Sequence, residues 1–426
     1  MKQTITSETS ILDKAGLPKH LAWGYLGILI FMMGDGLELG WLAPYLDRRG
    51  MGAEHIALLF TAYGVTVAIA SWFSGVLTEA YGPKKTMVMG LLIYIIGTLG
   101  FAGLGIENLN YPVMLVTYAI RGFGYPFFAY SFLVWINYRS AQNKLGTAVG
   151  WFWFAFTGGL NVFGAYYSIW AIKNLGEQNT LYSAVLWVLV GAFFALVLNK
   201  DKFKTNALIT GNSKMEELKK GLVIMKKEPK VLMGGIVRII NTTSQSAFYA
   251  FLGIYLIGHG FSQSEWLQIW GTIWIANIAF NLFFGFVGDK VGWRNTVLWF
   301  GGVGCMLATL LLYYSPVLFN GSYWMVMLCG ILWGGLLAGY VPLSALVPSL
   351  VKKDKGAAMS VLNLGAGLAT FTGPLIVWLF ISSIGSEGVV WILAFLYLIS
   401  AILTKFITLP NGAKILGHEI PAVAEV

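Results

Sequence analysis

The chain has 426 residues, of which 57% are hydrophobic and only 11% charged, whereas about a quarter of the residues in an ordinary soluble domain are charged. A soluble chain of this size needs a charged shell and cannot bury so much apolar surface. The composition therefore excludes a soluble domain and predicts an all-α integral membrane protein. The two cysteines, Cys305 and Cys329, both lie in apolar runs, so neither a disulfide framework nor a metal site is expected.

The apolar runs predict twelve membrane-spanning helices, since a helix needs about 20 predominantly apolar residues to cross the hydrocarbon core. The first run follows a polar tail and is too long for a signal peptide, so we expect it to stay in the protein as a span. The predicted spans, numbered 1 to 12, are 21–46, 55–79, 85–105, 111–138, 145–171, 181–199, 231–257, 265–288, 295–315, 322–349, 356–383 and 388–408.

The spans form two groups of six. The predicted domains are a cytoplasmic tail at 1–20, a six-helix bundle at 21–199, a cytoplasmic linker at 200–230, a second six-helix bundle at 231–408 and a cytoplasmic tail at 409–426. Within the lysine-rich linker, Ser213 and Glu216 have the spacing of a capping box, and apolar residues recur at helical spacing between Met215 and Met225. We predict that this stretch is an amphipathic helix at the membrane surface.

The formal net charge of +9 predicts an orientation in the membrane and not a nucleic-acid partner. Of the 28 Lys and Arg residues, 23 lie in the two tails and the even-numbered connectors, and only Arg48, Arg49 and Lys173 lie in the connectors on the opposite side. Positive residues accumulate on the cytoplasmic side of membrane proteins. We therefore expect both termini in the cytoplasm, and no basic patch remains for a nucleic acid.

A motif at the end of span 2 recurs at the end of span 8. The first copy is Gly75, Glu79, Gly82, Lys84 and Lys85, and the second is Gly285, Asp289, Gly292 and Arg294, with matching positions 210 residues apart. Its glycines permit close helix contact and a tight turn, and its acids can pair with bases at the cytoplasmic rim. We interpret the two copies as a cytoplasmic gate motif; the alternative is two ordinary membrane-exit turns.

The repeated motif resembles the signature loop of the major facilitator superfamily, and two parallel six-helix repeats resemble its fold along the whole chain. The first copy departs from the usual pattern at Glu79, where aspartate is common, and at Pro83. Three segments have a closer resemblance, to the polyol porter branch with its bacterial ribitol and D-arabinitol permeases. They are MGDGLELGWLAP at 33–44, RGFGYPFFAYSFLVW at 121–135 and GWFWFAFTGGLN at 150–161.

Few charges lie inside the predicted spans. Asp35 and Glu38 are the only deep acids and Arg121 the only deep base, while Arg238 lies about two turns into span 7. At about 1.5 Å per residue, Asp35 and Arg121 both lie roughly 15 Å from the outer surface, near the midplane. Glu38 is three residues from Asp35, and helical spacing puts both acids on one face. Charges at this depth should face a cavity or each other.

We interpret Asp35 as the proton-coupling carboxylate, with Arg121 favouring its ionised form and closure of the site favouring its protonated form. The resemblance implies the same arrangement, since sugar porters of the superfamily pair an acid on the first helix with an arginine on the fourth. The alternatives are a static ion pair, or an acid that binds substrate without titrating. Glu38 is the second candidate for coupling and can instead bind substrate hydroxyls. No cofactor is expected beyond the coupling proton.

The charge balance of the interior favours a neutral, hydroxylated substrate, because an anion usually requires several convergent bases. Amides and carboxylates can bind hydroxyl groups, and aromatic rings can cover C–H faces. The candidate substrate-binding residues are Glu38, Tyr125, Tyr130, Trp153, Asn161, Asn241, Gln245, Tyr249, Asn277, Asn281, Trp333, Tyr340 and Asn363. For each amide the alternative is an interhelical hydrogen bond, and for each aromatic ring it is packing or an interfacial belt.

These observations predict a monomeric, proton-coupled importer of a pentitol such as ribitol or D-arabinitol in the inner membrane of a bacterium. Import is favoured over efflux because antiporters of the superfamily often carry Gly-Pro on span 5, where this chain has Gly158-Gly159 and Gly164-Ala165. A 2-oxoglutarate-like organic-acid symporter and a non-transporting nutrient receptor are the alternatives. An enzyme is not expected, because no cluster of catalytic residue types gathers at one depth.

Overall fold

The computed structural model describes residues 17–140, 145–199, 223–351, 355–409, 414–415 and 418–419. Within these ranges, the fold is helical apart from connecting turns and two strands of two residues each. Helix in every predicted span confirms the all-α prediction. Most of the predicted amphipathic helix, with Ser213 and Glu216, lies outside the described residues, and residues 223–227 at its end are helical.

The N-terminal part of the protein comprises residues 17–199. Its α-helices are α1 (Ala22–Gly36), α2 (Leu42–Arg48), α3 (Ala53–Tyr81), α4 (Pro83–Leu99), α5 (Tyr111–Arg121), α6 (Ser131–Arg139), α7 (Leu145–Thr157), α8 (Gly164–Leu175) and α9 (Glu177–Ala192). A 3₁₀ turn, Lys19–Leu21, precedes α1, and wider π-helical turns lie at Gly100–Ile106, Pro126–Tyr130, Gly158–Phe163 and Phe193–Leu198.

The C-terminal part begins at residue 223. Its longer helices and short turns are α10 (Pro229–Gly258), α11 (Gln263–Val291), α12 (Trp293–Thr296), α13 (Cys305–Leu318), α14 (Tyr323–Leu337), α15 (Leu343–Leu346) and α16 (Lys355–Phe406), with a π-helical turn at Val297–Gly304 and 3₁₀ turns at Ala338–Tyr340 and Pro348–Leu350. The antiparallel strands β1 (Lys414–Ile415) and β2 (His418–Glu419) follow. Gly385, with φ of 70°, divides α16 between predicted spans 11 and 12.

Seven helices in the described part of the chain are long and apolar enough to cross a membrane. They are Ala53–Thr78, Pro83–Ile106, Glu177–Leu198, Gln263–Val291, Trp293–Leu318, Tyr323–Leu350 and Ala357–Phe406. The last of these contains two predicted spans. Predicted spans 1 and 4 do not form single helices of sufficient length, because each is interrupted where its charged residues lie.

Predicted span 1 is interrupted between α1 and α2, where residues 37–41 form turns. Glycine disfavours helix, and α1 ends in Gly34-Asp35-Gly36. A side chain at Gly36 would collide with the backbone carbonyl of Leu160, so the end of α1 packs directly on the Gly158–Phe163 turn. The interruption puts Glu38 outside any helix.

Predicted span 4 is interrupted after Arg121, the last residue of α5. Gly97 of α4 lets the two helices approach closely there, since a Cβ at Gly97 would lie 2.7 Å from the Cα of Arg121. The chain then turns before the π-helical turn Pro126–Tyr130 and α6. Close packing on α4 thus fixes the backbone from which the buried guanidinium extends.

The two parts of the protein meet along α3 and α16, where the hydroxyl of Thr370 donates a hydrogen bond of 3.0 Å to the carbonyl of Gly64. They also meet at one end of the molecule, where Arg48 donates to the side chain of Gln263 at 2.8 Å and Ser382 donates to Glu54 at 2.9 Å. We call this end the closed side.

Candidate functional site

Arg121, Asp35 and Glu38 form one buried ionic cluster. A guanidinium nitrogen of Arg121 donates to a carboxylate oxygen of Glu38, and its other terminal nitrogen lies 3.5 Å from Oδ1 of Asp35. That second nitrogen also donates to the backbone carbonyl of Asp35 at 3.2 Å. The exposed fractions of the three residues are 0%, 3% and 1%, so water does not screen these charges in this conformation.

Three tyrosines complete the cluster. Tyr118 donates to Glu38 at 2.7 Å, and Tyr63 donates to Asp35 at 3.3 Å. Arg121 donates to the hydroxyl of Tyr94 at 2.6 Å and lies over its ring, with the guanidinium carbon 4.6 Å from the ring centroid. Each buried charge therefore has a neutral hydrogen-bonding partner as well as an opposite charge, as burial of an ion requires.

Sequence reasoning missed these tyrosines. Tyr118 could have been found, because it lies three residues before Arg121 on α5 and thus on the same helical face. No comparable signal exists for Tyr63 or Tyr94, which lie on α3 and α4 and reach the cluster only through packing.

Asp35 and Arg121, predicted to lie at equal depth, are close enough to interact in this structure. The prediction that Asp35 and Glu38 share one face of a helix was wrong. Helical spacing does not place Glu38 beside Asp35, because α1 ends at Gly36 and Glu38 lies in the turn that follows. Glu38 is also the nearer ion partner of Arg121, whereas the predicted partner was Asp35.

With both acids ionised, the cluster holds two negative charges and one positive charge. One proton would leave a neutral buried group, which an apolar interior favours over a net charge. Asp35 is the more loosely held acid, since its ion-pair distance is 3.5 Å and its bonds from Tyr63 are 3.3 and 3.5 Å long. The geometry therefore makes Asp35 the better candidate for gaining and losing that proton.

A second group of polar side chains joins the N-terminal and C-terminal parts. Tyr249 of α10 donates to the side-chain oxygen of Asn161 at 3.0 Å, and Gln245 donates to the hydroxyl of Tyr249 at 2.7 Å. The ring of Tyr249 packs on Trp270, with centroids 5.2 Å apart. Asn241 lies one turn before Gln245 on the same continuous helix, as the spacing predicts.

Tyr125, Tyr130 and Trp153 lie together in the N-terminal part. The ring of Tyr130 is 6.1 Å from Tyr125 and 6.3 Å from Trp153, and it stacks on Phe156 at 6.0 Å. Tyr125 is buried and Trp153 is 39% exposed. The sequence prediction that these residues form an aromatic wall is compatible with this arrangement.

Three other predicted binding residues make their hydrogen bonds within the C-terminal part. Asn277 donates to the carbonyl of Gly334 at 2.9 Å, the indole of Trp333 donates to Thr309 at 3.1 Å, and the hydroxyl of Tyr340 bonds Ser400. These three side chains pack inside the C-terminal part, so the prediction that they face substrate does not hold in this structure. Asn281 is half-buried, and Asn363 is exposed.

The gate motif makes the tight turns expected of it. Gly82 and Gly292 have φ of 83° and 98°, a region that favours glycine. Lys84 donates to the carbonyl of Asn199 at 2.8 Å, and Asp289 accepts from the indole of Trp293 at 3.0 Å.

The prediction of close helix contact fails for Gly285. No heavy atom lies within 4 Å of a Cβ placed there, whereas one at Gly288 would lie 2.7 Å from Pro342. Lys85 is exposed and Arg294 half-buried. Gly75 lies within α3. The side chain of Glu79 lies outside the described part, so its predicted pairing with a base stays a prediction.

Arg238 differs from Arg121 in having no carboxylate partner among the described residues. It is half-buried on α10, where Gly365 of α16 lies against its side chain, and Tyr130 is close enough to interact with it electrostatically. Within the described ranges, no group of three His, Cys, Asp or Glu residues could hold a metal ion.

Comparison with known proteins identifies the class of this chain. The sequence profile of the Major Facilitator Superfamily matches residues 24–334 and 273–419. The crystal structure of a D-xylose-proton symporter superposes with a TM-score of 0.72 at 13% identity, covering 92% of this chain and 98% of that one. The chain therefore belongs to the major facilitator superfamily, as its repeated motif predicts, and is a multi-pass membrane transporter and not an enzyme.

Several transporters are similar to this chain over most of its length. The chain is 56% identical to the putative transporter YoaB of Bacillus subtilis (strain 168), covering 97% of this chain and 100% of the relative. It is 53% identical to an alpha-ketoglutarate permease of the same strain, covering 95% and 93%.

The polyol transporters named in the sequence resemblance are also relatives. A D-arabinitol transporter of Klebsiella pneumoniae is 37% identical, covering 92% of this chain and 93% of the relative, and a ribitol transporter of that organism is 35% identical, covering 92% of each. The resemblance to this branch is confirmed.

Proposed function

We propose that the protein imports a pentitol such as ribitol or D-arabinitol together with a proton, by alternating access around a site between its N-terminal and C-terminal parts. In this proposal twelve spans cross a bacterial inner membrane, both termini are cytoplasmic and the protein works as a monomer. The observation that carries the proposal is the engagement of Arg121 by both Asp35 and Glu38.

That engagement argues for a neutral substrate. A carboxylate on the substrate would have to displace Asp35 or Glu38 from Arg121, which would leave a buried charge without a partner and cost several kcal/mol. The side chains of the group that joins α10 to the Gly158–Phe163 turn are instead neutral: Asn161, Gln245 and Tyr249. Amides and phenols both donate and accept hydrogen bonds, as do the hydroxyl groups of a pentitol.

Proton coupling rests on Asp35. When Asp35 is protonated, Arg121 and Glu38 remain as a neutral pair, and the buried cluster carries no net charge. When the site opens to water, hydration stabilises the ionised carboxylate and the proton can leave. A change in hydration between two conformations would thus tie the movement of a proton to the movement of substrate.

A second candidate substrate is a dicarboxylate such as 2-oxoglutarate. Arg238 favours it, because this half-buried guanidinium has no carboxylate partner among the described residues and could bind one on a substrate. The relative that is 53% identical is a permease for this compound. The two candidates make opposite predictions for Arg238, since only the dicarboxylate requires its charge.

Uptake into liposomes distinguishes the candidates. We would reconstitute the purified protein, impose an inward proton gradient and follow labelled ribitol, D-arabinitol and 2-oxoglutarate. Accumulation of a pentitol above its external concentration, with dissipation of the gradient abolishing it, is the expected result. Accumulation of 2-oxoglutarate alone, lost in Arg238→Gln, would establish the second candidate. Absence of flux for all three would refute both candidate substrates.

A further inference from the structure

Residues 37–41, the turn segment between α1 and α2, touch both the buried ionic cluster and the C-terminal part of the protein. Glu38, within this segment, binds Arg121 and Tyr118. Two residues later, the carbonyl of Gly40 accepts a hydrogen bond of 2.6 Å from the indole nitrogen of Trp266 on α11. One short non-helical segment therefore contacts the charges on one side and the opposing part on the other.

The contact between Gly40 and Trp266 is closely packed. Trp266 is 1% exposed. A Cβ on Gly40 would lie 2.6 Å from the side chain of Leu267, and one on Gly253 would lie 2.6 Å from the indole nitrogen of Trp266. Small changes in the path of residues 37–41 would therefore break this contact, because packed side chains leave no room for gradual adjustment.

The segment is also held at its start. The carbonyl of Leu37 accepts hydrogen bonds from the indole of Trp41 at 2.7 Å and from the hydroxyl of Ser168. The backbone carbonyl of Glu38 accepts hydrogen bonds from the backbone N–H groups of Trp41 at 3.1 Å and Leu42 at 2.9 Å. The positions of the Glu38 side chain and of the Gly40 carbonyl are thus fixed relative to each other.

We propose that residues 37–41 act as a rigid link, so that the closed side stays closed only while Glu38 is bound to Arg121. The hydrogen bond from Trp266 to the carbonyl of Gly40 connects this ion pair to the C-terminal part. The inference rests on the proposed alternating access. Release of Glu38 by Arg121 would shift Gly40, remove the acceptor of Trp266 and favour opening at Arg48 and Gln263. Trp266 is a positioning residue and need not touch substrate.

The test measures opening of the closed side directly, without transport. Spin labels would be attached at Asn108→Cys and His259→Cys, exposed positions in the two parts, in a background with Cys305 and Cys329 replaced by alanine. Pulsed dipolar spectroscopy would then give the distance distribution in liposomes. Trp266→Phe keeps the ring and removes the donor, and Glu38→Gln weakens the ion pair.

Trp274→Phe is the matched control, because Trp274 lies two turns further on α11, is also buried, and its indole nitrogen has no hydrogen-bond partner among the described residues. We expect Trp266→Phe to raise the ratio of open to closed molecules about five-fold, the effect of one net hydrogen bond. Glu38→Gln should raise it at least as much, and Trp274→Phe should leave it unchanged.

The decisive measurement is the double variant. If residues 37–41 carry the coupling, Glu38→Gln combined with Trp266→Phe opens the closed side no further than Glu38→Gln alone. Additive opening, or equal behaviour of Trp266→Phe and Trp274→Phe, would overturn the proposal. If Trp266→Phe does not fold, Gly40→Ala tests the same contact from the other side. Failure of pentitol uptake would refute the proposed substrate and leave these distances unaffected.

Discussion

Tyr249 and Asn161 are 88 residues apart in the chain, yet the hydroxyl of Tyr249 donates a hydrogen bond of 3.0 Å to the side-chain oxygen of Asn161. The bond joins α10 to the π-helical turn Gly158–Phe163, and so connects the two parts of the protein directly. In a transporter that rocks its two parts around a central site, such a bond must be exchanged for others as the parts separate. A hydroxylated substrate can supply the replacement partners.

Tyr249→Phe should weaken the binding of the pentitol, because it removes the hydroxyl that bonds Asn161. We expect its KM for the pentitol to rise about five-fold, since a hydrogen bond to a neutral group contributes on the order of 1 kcal/mol. Initial rates of uptake into liposomes give this value. Tyr340→Phe is the control, because the hydroxyl of Tyr340 bonds Ser400 inside the C-terminal part. An equal rise in KM for both variants would contradict the assignment of Tyr249 to the substrate site.

Asp35→Asn should separate substrate movement from proton movement. Asparagine cannot ionise, so the variant should catalyse exchange of internal for external pentitol but should not accumulate it when a proton gradient is imposed. The accumulation ratio should fall to about one, as expected for a carrier without a coupled ion. Asp47→Asn, at an exposed aspartate of α2, makes the same chemical change outside the cluster and should retain accumulation. Accumulation by Asp35→Asn would move the coupling role to another acid.

Tyr118→Phe should destabilise the fold. The change removes a donor from the buried carboxylate of Glu38, and an unsatisfied buried group costs about 1–3 kcal/mol. Thermal unfolding in detergent should show a lower midpoint than for the wild type. Tyr111→Phe on the same helix removes an exposed bond to the carbonyl of His55 and should change stability by less than about 0.5 kcal/mol. Equal midpoints for the two variants would show that the hydrogen bond from Tyr118 to Glu38 does not stabilise the fold.

Gly36→Ala should fail to assemble normally. A Cβ at this position would collide with the carbonyl of Leu160, and neither backbone can move without disturbing the packing of α1 on the Gly158–Phe163 turn. Overpacking of this kind costs about 1–3 kcal/mol or more. Gly150→Ala is the matched control, since no heavy atom lies within 4 Å of a Cβ there. Monodispersity after gel filtration distinguishes the two, and normal behaviour of Gly36→Ala would show that α1 can shift.

Much of the architecture could be predicted because a membrane imposes a simple rule on sequence: long apolar runs become helices. The depth of Asp35 and Arg121 follows from counting residues along such helices, and the meeting of these side chains follows once the fold is known. The turns at Gly82 and Gly292 could be predicted from the repeated motif, since few residues other than glycine accept a positive φ.

The rest depends on tertiary packing, which one sequence does not display. The break at residues 37–41 occurs within an apolar run, and the tertiary packing at that break comes from Leu160, more than a hundred residues further along the chain, which lies against Gly36. The burial of Trp333 and Tyr340 inside the C-terminal part has the same origin, because an aromatic residue has the same periodicity whether it faces a cavity or a neighbouring helix.

The burial of Asp35 and Glu38 against Arg121 also has a consequence for biosynthesis. The nascent chain presents residues 21–46 to the membrane before residues 111–138, with Asp35 and Glu38 still lacking Arg121, which is synthesised some eighty residues later. Each acid near the centre of an inserting helix costs roughly 2.5–3.5 kcal/mol. The first segment should therefore insert poorly when expressed alone and be retained firmly once residues 111–138 have been made. Insertion assays on truncated chains would detect this dependence of an early segment on a later one.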